Sequence, residues 1–374
     1  MTRAARLLIV SPVASHPAVQ GNAARIQAFG REMMARGLIC EFLYYTAEGI
    51  TPAQQDAMAE FWHALHLAPA ERIGEPSLPG CWGLDDWCPG VLAERVAGLQ
   101  RAGRYDAVVV NYVWMSRVLE GVQGALRLID THDLFGDRHL VARAEGLDPS
   151  WFFTTRAEEA RGLARADLVL AIQEAEAAAL RERSGVPVLT LGHMPPLRFL
   201  EMQECGAARA MFGYLGSANP WNAASVRALD AALAQAPELT WLLAGQILQR
   251  RDLTLASRPL LLDPVPEAAG FYRAVDCVLN PMTGGTGLKI KTVEALAFGR
   301  PVLGTRDAFA GLPAEHPGHQ AADAREVVAL MRDYAASEAF RRGLRQASRL
   351  LALRQAAAVA AQHDALAARL AARV

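Results

Sequence analysis

A chain of 374 residues is too long for one ordinary hydrophobic core, so two domains are expected, and a hydrophobic fraction of 52% is ample to fill both. The 38 Lys and Arg against 39 Asp and Glu leave a formal net charge of −1, which excludes a global field that would draw nucleic acid; any anion site must be local. No apolar stretch is long enough to cross a membrane and Leu7–Val10 is too short for a signal-peptide core, so the sequence reads as cytoplasmic.

Leu7–Val10 reads as a strand and Ala24–Arg36 as a helix that Gly37 stops. Strands follow at Glu41–Tyr45, Ala107–Asn111, Leu126–Ile129 and Leu168–Ile172, with helices at Leu92–Arg101, Trp151–Ala164 and Glu174–Arg183. Such alternation implies a mostly parallel sheet covered on both faces. Ser11-Pro-Val-Ala-Ser15 stands where a dehydrogenase would carry Gly-x-Gly-x-x-Gly, which argues against that chemistry. The alternation breaks at Leu191–Arg198, whose glycine and paired prolines suit a linker of restricted geometry.

It then begins again. Strands are expected at Met211–Leu215, Trp241–Ala244, Leu260–Leu262, Cys277–Asn280 and Pro301–Gly304, with helices at Trp221–Ala234, Glu267–Ala274 and Lys289–Phe298. Ala336–Val374 is rich in Ala, Leu and Arg and reads as helix; Arg341, Arg342, Arg345, Arg349 and Arg354 form either a solvated face or one turned to acidic lipid. The expected organisation is an α/β chain of two doubly wound domains, 1–193 and 209–350, joined by a linker at 194–208, with a C-terminal helix at 351–374 packing back on the first. In open sheets of this kind ligands bind outside the carboxyl ends of the strands, so a cleft between two facing domains is the expected site.

Five cysteines, at 40, 81, 88, 205 and 277, include no C-x-x-C pair and read as free thiols. His63 with His66, and His316 with His319, have a spacing that could hold a metal on a helix, but neither pair has a cysteine or carboxylate at ligand spacing, so no metal is expected.

Asn280–Gly304 concentrates the chemistry. The apolar run Asp276–Asn280 is a buried strand that Pro281 and the glycines at 284, 285 and 287 cannot continue. Ile290, Val293 and Ala297 recur at helical spacing until Gly299 and Pro301, so Gly284–Gly287 are expected to open a helix. A helix start with accessible glycine backbone, joined by Lys289 and Lys291, is a phosphate cradle. Glu294, one turn on, can accept from two vicinal hydroxyls such as those of a ribose. The competing reading makes Lys291 and Glu294, spaced i, i+3, a surface ion pair worth about 0.2–0.5 kcal/mol.

These residues carry a resemblance that spans nearly the whole chain. Gly285-Thr-Gly-Leu-Lys-Ile-Lys-Thr-Val-Glu-Ala-Leu-Ala-Phe-Gly-Arg-Pro-Val302, Phe212–Ser217 with Trp221-Asn222, Ile129–Arg138 and Ala166–Gln173 resemble segments of the retaining, nucleotide-sugar-dependent glycosyltransferases of family 4, the group 1 glycosyltransferases of the GT-B fold. The resemblance implies two Rossmann-like domains and roles residue by residue. Glu294 matches the glutamate that binds the nucleotide ribose. Gly284, Gly285, Thr286, Gly287 and Leu288 match the loop approaching the donor phosphates and sugar, and Gly216 the turn that opens the second domain. Gly21 and Asn22 match the turn facing the donor from the first domain, with Arg25 a phosphate ligand. His132 matches a histidine touching the transferred sugar, its alternative being a packed strand-end histidine bonded to Asp130 or Asp133. Two departures stand out: Thr286 replaces a glutamate, and Gly216–Trp221 contains no base to neutralise a pyrophosphate. Lys289, with Lys291 behind it, is the expected replacement.

The resemblance therefore implies transfer of a sugar from a nucleoside diphosphate sugar to a hydroxyl acceptor, a saccharide or lipid-linked saccharide in polysaccharide or glycan biosynthesis. The transfer would be retaining and metal-independent, with no other cofactor. His132, Lys289 and Glu294 are the expected catalytic residues. Acceptor-binding candidates are Asp130, Asp133, Tyr112, Trp114, and Trp82 and Trp87 in the long aromatic connection Pro69–Pro89, which could equally be a lid. Peripheral contact with the inner face of the cell membrane goes with a lipid-linked acceptor. The rival readings are a catalytically silent partner of another transferase, favoured by Thr286 and the unbasic turn at Gly216, and a nucleotide-sugar epimerase using His132 with Asp130 or Asp133.

Overall fold

The computed structural model describes residues 3–18, 20–149, 151–200, 210–265 and 267–373. The chain forms two compact units, residues 1–193 with 359–374, and residues 194–358. Most of the linker expected at 194–208 lies outside the described residues.

The first unit is built on seven parallel strands, β1 (Arg6–Ser11), β2 (Ile39–Tyr45), β3 (Ala64–Ala68), β4 (Ala107–Asn111), β5 (Leu126–Asp130), β6 (Leu168–Ala171) and β7 (Val188–Thr190), in the order β3-β2-β1-β4-β5-β6-β7. Helices α1 (Gly21–Ala35), α2 (Pro52–Phe61), α3 (Gly90–Gly103), α4 (Arg138–Ala144), α5 (Arg156–Leu163) and α6 (Glu174–Ser184) connect them. β4, Ala-Val-Val-Val-Asn, is buried along its whole length, as a central parallel strand covered on both faces must be. Each fully buried aliphatic side chain there contributes about 1.5–3 kcal/mol.

The second unit holds five parallel strands, β8 (Ala210–Leu215), β9 (Trp241–Ala244), β10 (Leu260–Leu262), β11 (Val275–Asn280) and β12 (Val302–Gly304), in the order β10-β9-β8-β11-β12. Its helices are α7 (Pro220–Leu233), α8 (Ala268–Ala274), α9 (Ile290–Ala297) and α10 (Ala324–Ala336). A long helix α11 (Glu338–Ala371) closes the chain. Its Leu351 and Ala352 are buried in a core of the second unit, and Leu366, Ala367 and Leu370 in that of the first.

Several elements escaped the sequence reading. β3 and β7 are short edge strands, one only half-buried and the other three residues long, so neither shows a clear apolar run. α2 carries a readable signal, a capping box in which Gln54 N–H donates to Thr51 Oγ1 and Thr51 N–H to Gln54 Oε1. The helix expected from Trp151 begins only at Arg156, where Thr155 Oγ1 accepts from Glu158 N–H; Trp151 itself has φ +65°.

On α11, Arg345 pairs with Asp276, Arg342 with Glu338, Arg341 donates to the carbonyls of Tyr334 and Ala335, and Arg349 lies over the Phe199 ring. Four of the five arginines that could face lipid thus have partners within the protein. Among the described residues no helix is long and apolar enough to cross a membrane.

Candidate active site

In the second sheet the chain leaves β8 towards β9 on one side and places β11 on the other, so the topological switch point lies between the carboxyl ends of β8 and β11. Gly216 follows β8 there, and the loop 281–289 follows β11. The loop is shaped by three left-handed glycines, Gly284, Gly285 and Gly287 at φ +74°, +76° and +76°. They do not open the helix: α9 starts at Ile290 with Lys289 as its N-cap. A right-handed helix cannot run through left-handed backbone at 284, 285 and 287, which corrects the sequence expectation.

Gly284 N–H donates to Asp307 Oδ2 at 2.7 Å, and a Cβ at Gly284 would fall 2.8 Å from the Trp221 ring. Gly284→Ala is therefore expected to destabilise the second unit by about 1–3 kcal/mol, through left-handed strain and the clash with Trp221. Calorimetric unfolding measures this; an unchanged Tm would mean that the loop can adopt another path.

The two lysines have different surroundings. Lys289 curls back, its Nζ donating to the carbonyls of Gly285, Thr286 and Gly287 at 3.1, 3.1 and 3.2 Å, so its ammonium braces the loop. Lys291 reaches across to β8 and α7, where Nζ donates to Tyr214 Oη at 2.6 Å and Asn222 Oδ1 at 2.5 Å and stands 4.4 Å from the Tyr214 ring centroid. Asn222 is oriented for this by Nδ2, which donates to the Ser217 carbonyl at 3.0 Å. Burial and the neighbouring Lys289 pull the Lys291 amine down to about 7. Sequence reasoning missed Tyr214 and Asn222, although both lie in the segments that carry the family resemblance.

Glu294 accepts a hydrogen bond from Tyr272 Oη at 2.9 Å, and Tyr272 stacks on Phe298 at 4.5 Å between ring centroids. Burial raises its carboxyl pKa, with the Tyr272 hydrogen bond working in the opposite direction. Lys291 and Glu294 form no ion pair with each other: each is held by a different neighbour, so the surface-pair reading fails. Leu288 is buried and Thr286 exposed. Gly216 N–H donates to the Ala244 carbonyl, and a Cβ at Gly216 would sit 2.6 Å from the Tyr214 ring.

In the first unit the switch point lies between β1 and β4. Gly21 opens α1, and Asn22 Oδ1 accepts from Ala23 N–H. Arg25, expected at a phosphate, is instead buried in a two-pronged ion pair: Nη2 lies 2.6 Å and Nε 2.9 Å from the Asp130 oxygens, and Nη2 also donates to the Leu191 carbonyl. Burial works to raise the Asp130 carboxyl, but Arg25 and His132 together outweigh it and hold the group low. Asp130 is thereby removed from a direct acceptor role. His132 has φ +59°, a strained conformation of the sort that gathers at functional sites. Its Nε2 lies 2.7 Å from Asn111 Oδ1 and 3.5 Å from Asp130 Oδ2, and its ring stacks on Tyr112 at 4.4 Å. Burial lowers its pKa to about 4.

The aromatic acceptor candidates pack on one another. Trp87 meets Trp82 and Trp114 edge-on, both at 5.4 Å, and Trp114 stacks on Phe152 at 5.6 Å. Tyr112 and Trp114 are fully buried, leaving Trp151, which no sequence signal singled out, as the exposed member of the cluster. Asp133 is partly buried, 3.3 Å from Arg138.

The paired histidines also have structural partners: His63 Nδ1 accepts from Cys40 N–H, His66 lies 2.9 Å from Glu41, His316 Nδ1 accepts from Gly318 N–H, and His319 lies 3.0 Å from Ser348. Among the described residues no group of three or more His, Cys, Asp and Glu is placed to hold a metal. Cys40, Cys81, Cys88 and Cys277 are buried free thiols, and Cys205 lies outside the described residues.

Buried neutral histidines set an acid limit. Burial pulls His132 to about 4 and His193 and His319 to about 3, from an ordinary 6.5. The unfolded chain then binds more protons in this range, so stability is lost as pH falls from about 6.5 towards 4, by up to about 1.4 kcal/mol per pH unit per histidine. Urea midpoints at about pH 7.5 and about pH 5 check this; equal midpoints would contradict it.

Two parallel doubly wound units, with a glycine loop at the switch point of the second, have the GT-B fold, and the protein is a glycosyltransferase. Within that class, residues 209–337, a part of the second unit that includes β8 to α10, match the family described as glycosyl transferases group 1. The sucrose-phosphate synthase of Thermosynechococcus elongatus is similar over 99% of this chain and 100% of its own, at 18% identity and a TM-score of 0.74. Anabaena HepE in complex with UDP matches 98% of this chain and 100% of its own at 16% identity and a TM-score of 0.69. A glycosyltransferase from Rickettsia africae matches 99% of each chain at 9% identity and a TM-score of 0.64. No curated protein sequence matches the chain significantly.

Proposed function

We propose that the protein moves a sugar from a nucleoside diphosphate sugar, with UDP the favoured nucleotide, to a hydroxyl of a saccharide or lipid-linked saccharide. The observation that carries this reading is the Lys291 ammonium, set between Tyr214 and Asn222 at the switch point of the second sheet with Glu294 one turn further along α9. An ammonium removed from bulk water is what a leaving diphosphate needs as it gains charge, and a carboxylate beside it suits a ribose. The preference for UDP is supported by HepE, which was solved with UDP and with UDP and glucose.

In this reading Lys291 supplies the charge that Gly216–Trp221 lacks, while Lys289 shapes the loop from Gly284 to Leu288. The acceptor oxygen attacks the anomeric carbon from the face the diphosphate leaves, and its proton passes to the departing phosphate oxygen. Configuration is retained without a protein nucleophile, and the reaction proceeds without metal. His132 touches the sugar substrate, the first unit takes the acceptor, and the reaction runs in the cytoplasm or at the inner face of the membrane.

A thermal-shift panel of UDP-, GDP-, ADP- and dTDP-sugars tests the donor. Stabilisation by a UDP-sugar, with turnover once an acceptor is supplied, is the expected result. Stabilisation by none of them overturns the donor reading; binding without turnover against a broad acceptor panel identifies a silent partner.

A further inference from the structure

We propose that Asn111 is a positioning residue that fixes the tautomer of His132, keeping its proton on Nε2 and leaving the Nδ1 lone pair for a hydroxyl of the sugar substrate. The inference rests on the reading of His132 as a residue that touches that sugar.

Asn111 is the last residue of β4 and is buried. Its Nδ2 donates at 3.1 Å to the carbonyl of Val10 on the neighbouring strand β1. A flipped amide would set Oδ1 against that carbonyl, two acceptors in contact, so the amide has one orientation. The atom 2.7 Å from His132 Nε2 is therefore Oδ1. An amide oxygen only accepts, which requires the hydrogen to be on Nε2. Asp130 Oδ2, 3.5 Å from the same nitrogen, favours the same tautomer.

Protonation of Nδ1 as well would give an imidazolium. Burial decides against it: Asp130 on β5 attracts a second proton, Arg25 on α1, bound to Asp130, offsets part of that attraction, Tyr112 covers one ring face, and the cost of burying a cation outweighs what remains. His193, at the end of the same unit, is buried and neutral as well. Among the described residues Nδ1 makes no hydrogen bond. The ring is thus a neutral acceptor aimed by a rigid strand end, the state that can take a hydrogen bond from a hydroxyl and cannot repel a developing oxocarbenium charge.

The test is two-bond 1H–15N correlation of the imidazole nitrogens in the full chain with labelled histidine, assigned by the resonances missing from His132→Gln. The expected spectrum shows His132 as the neutral Nε2–H tautomer from about pH 5.5 to about pH 8. Asn111→Ala should mix the tautomers and lower kcat about 10- to 100-fold, with UDP affinity unchanged. An Nδ1–H tautomer or an imidazolium at pH 7 in the wild type overturns the proposal. A fixed Nε2–H tautomer together with full activity in His132→Gln overturns instead the reading of His132 as a sugar contact.

Discussion

Replacing Lys291 by methionine is expected to lower kcat for sugar transfer by about 100- to 1,000-fold, the scale on which a single electrostatic donor to a developing oxyanion acts. Methionine keeps the unbranched shape and removes the charge. The seat survives the loss, because Tyr214 Oη also donates to Asn222 Oδ1 at 3.0 Å and Asn222 is anchored on the Ser217 carbonyl. Burial and Lys289 both disfavour the ammonium, so its removal should leave Tm unchanged or raise it. Activity and stability then move apart, which separates a functional lysine from a structural one. Lys291→Arg should not rescue, since a planar guanidinium cannot occupy a point between one phenol and one amide oxygen held 3.0 Å apart.

The same lysine predicts a proton linkage. With its pKa pulled to about 7, the amine is increasingly neutral above that pH in the free protein. A diphosphate prefers the ammonium and draws the pKa back up, so nucleotide binding at about pH 8 should take up close to one proton, and binding at about pH 6 almost none. Calorimetry in buffers of different ionisation enthalpy reads this directly. The uptake should vanish in Lys291→Met and persist in reduced form in Lys289→Met, because burial, the larger cause, still holds the Lys291 pKa down while the smaller pull of Lys289 is lost. Uptake that survives the loss of Lys291 would assign the proton to another group.

Both sheets were legible in the sequence because a buried parallel strand is a short apolar run whatever packs on it, as Leu7–Val10 and Cys277–Asn280 show. Edge strands such as β3, with a histidine in a half-buried stretch, lack that signature. At the site, spacing marked Gly284–Glu294, but the direction each side chain takes depends on partners remote in sequence. The family resemblance places Arg25 at a phosphate, but Asp130, 105 residues away, claims it. Lys289 stands first in the sequence as the replacement base, with Lys291 behind it, but left-handed turns bring three carbonyls to the Lys289 ammonium. Trp82, Trp87 and Trp114 gave no sign that they would meet one another, because aromatic residues read alike whether they line a surface or fill a core.

Glu294→Gln should weaken nucleotide binding by about 10- to 100-fold, the loss of about 1.5–3 kcal/mol that goes with hydrogen bonds to a charged group. A carboxylate accepts from both hydroxyls of a ribose, whereas an amide offers one acceptor and turns a donor towards the other. Tyr272 strengthens the case: its hydroxyl already holds Oε2 at 2.9 Å, and its ring, stacked on Phe298, keeps that hydroxyl in place, so the carboxylate is oriented before any ligand arrives. Burial raises the Glu294 pKa, so the ionised carboxylate costs stability at neutral pH, and the neutral amide should raise Tm as affinity falls. A double-mutant cycle then tests the ribose assignment itself. With 2′-deoxy- and 3′-deoxy-UDP the wild type should lose most of what Glu294→Gln loses with UDP, and the variant should lose little more. Strictly additive losses would put the ribose hydroxyls beyond the reach of Glu294.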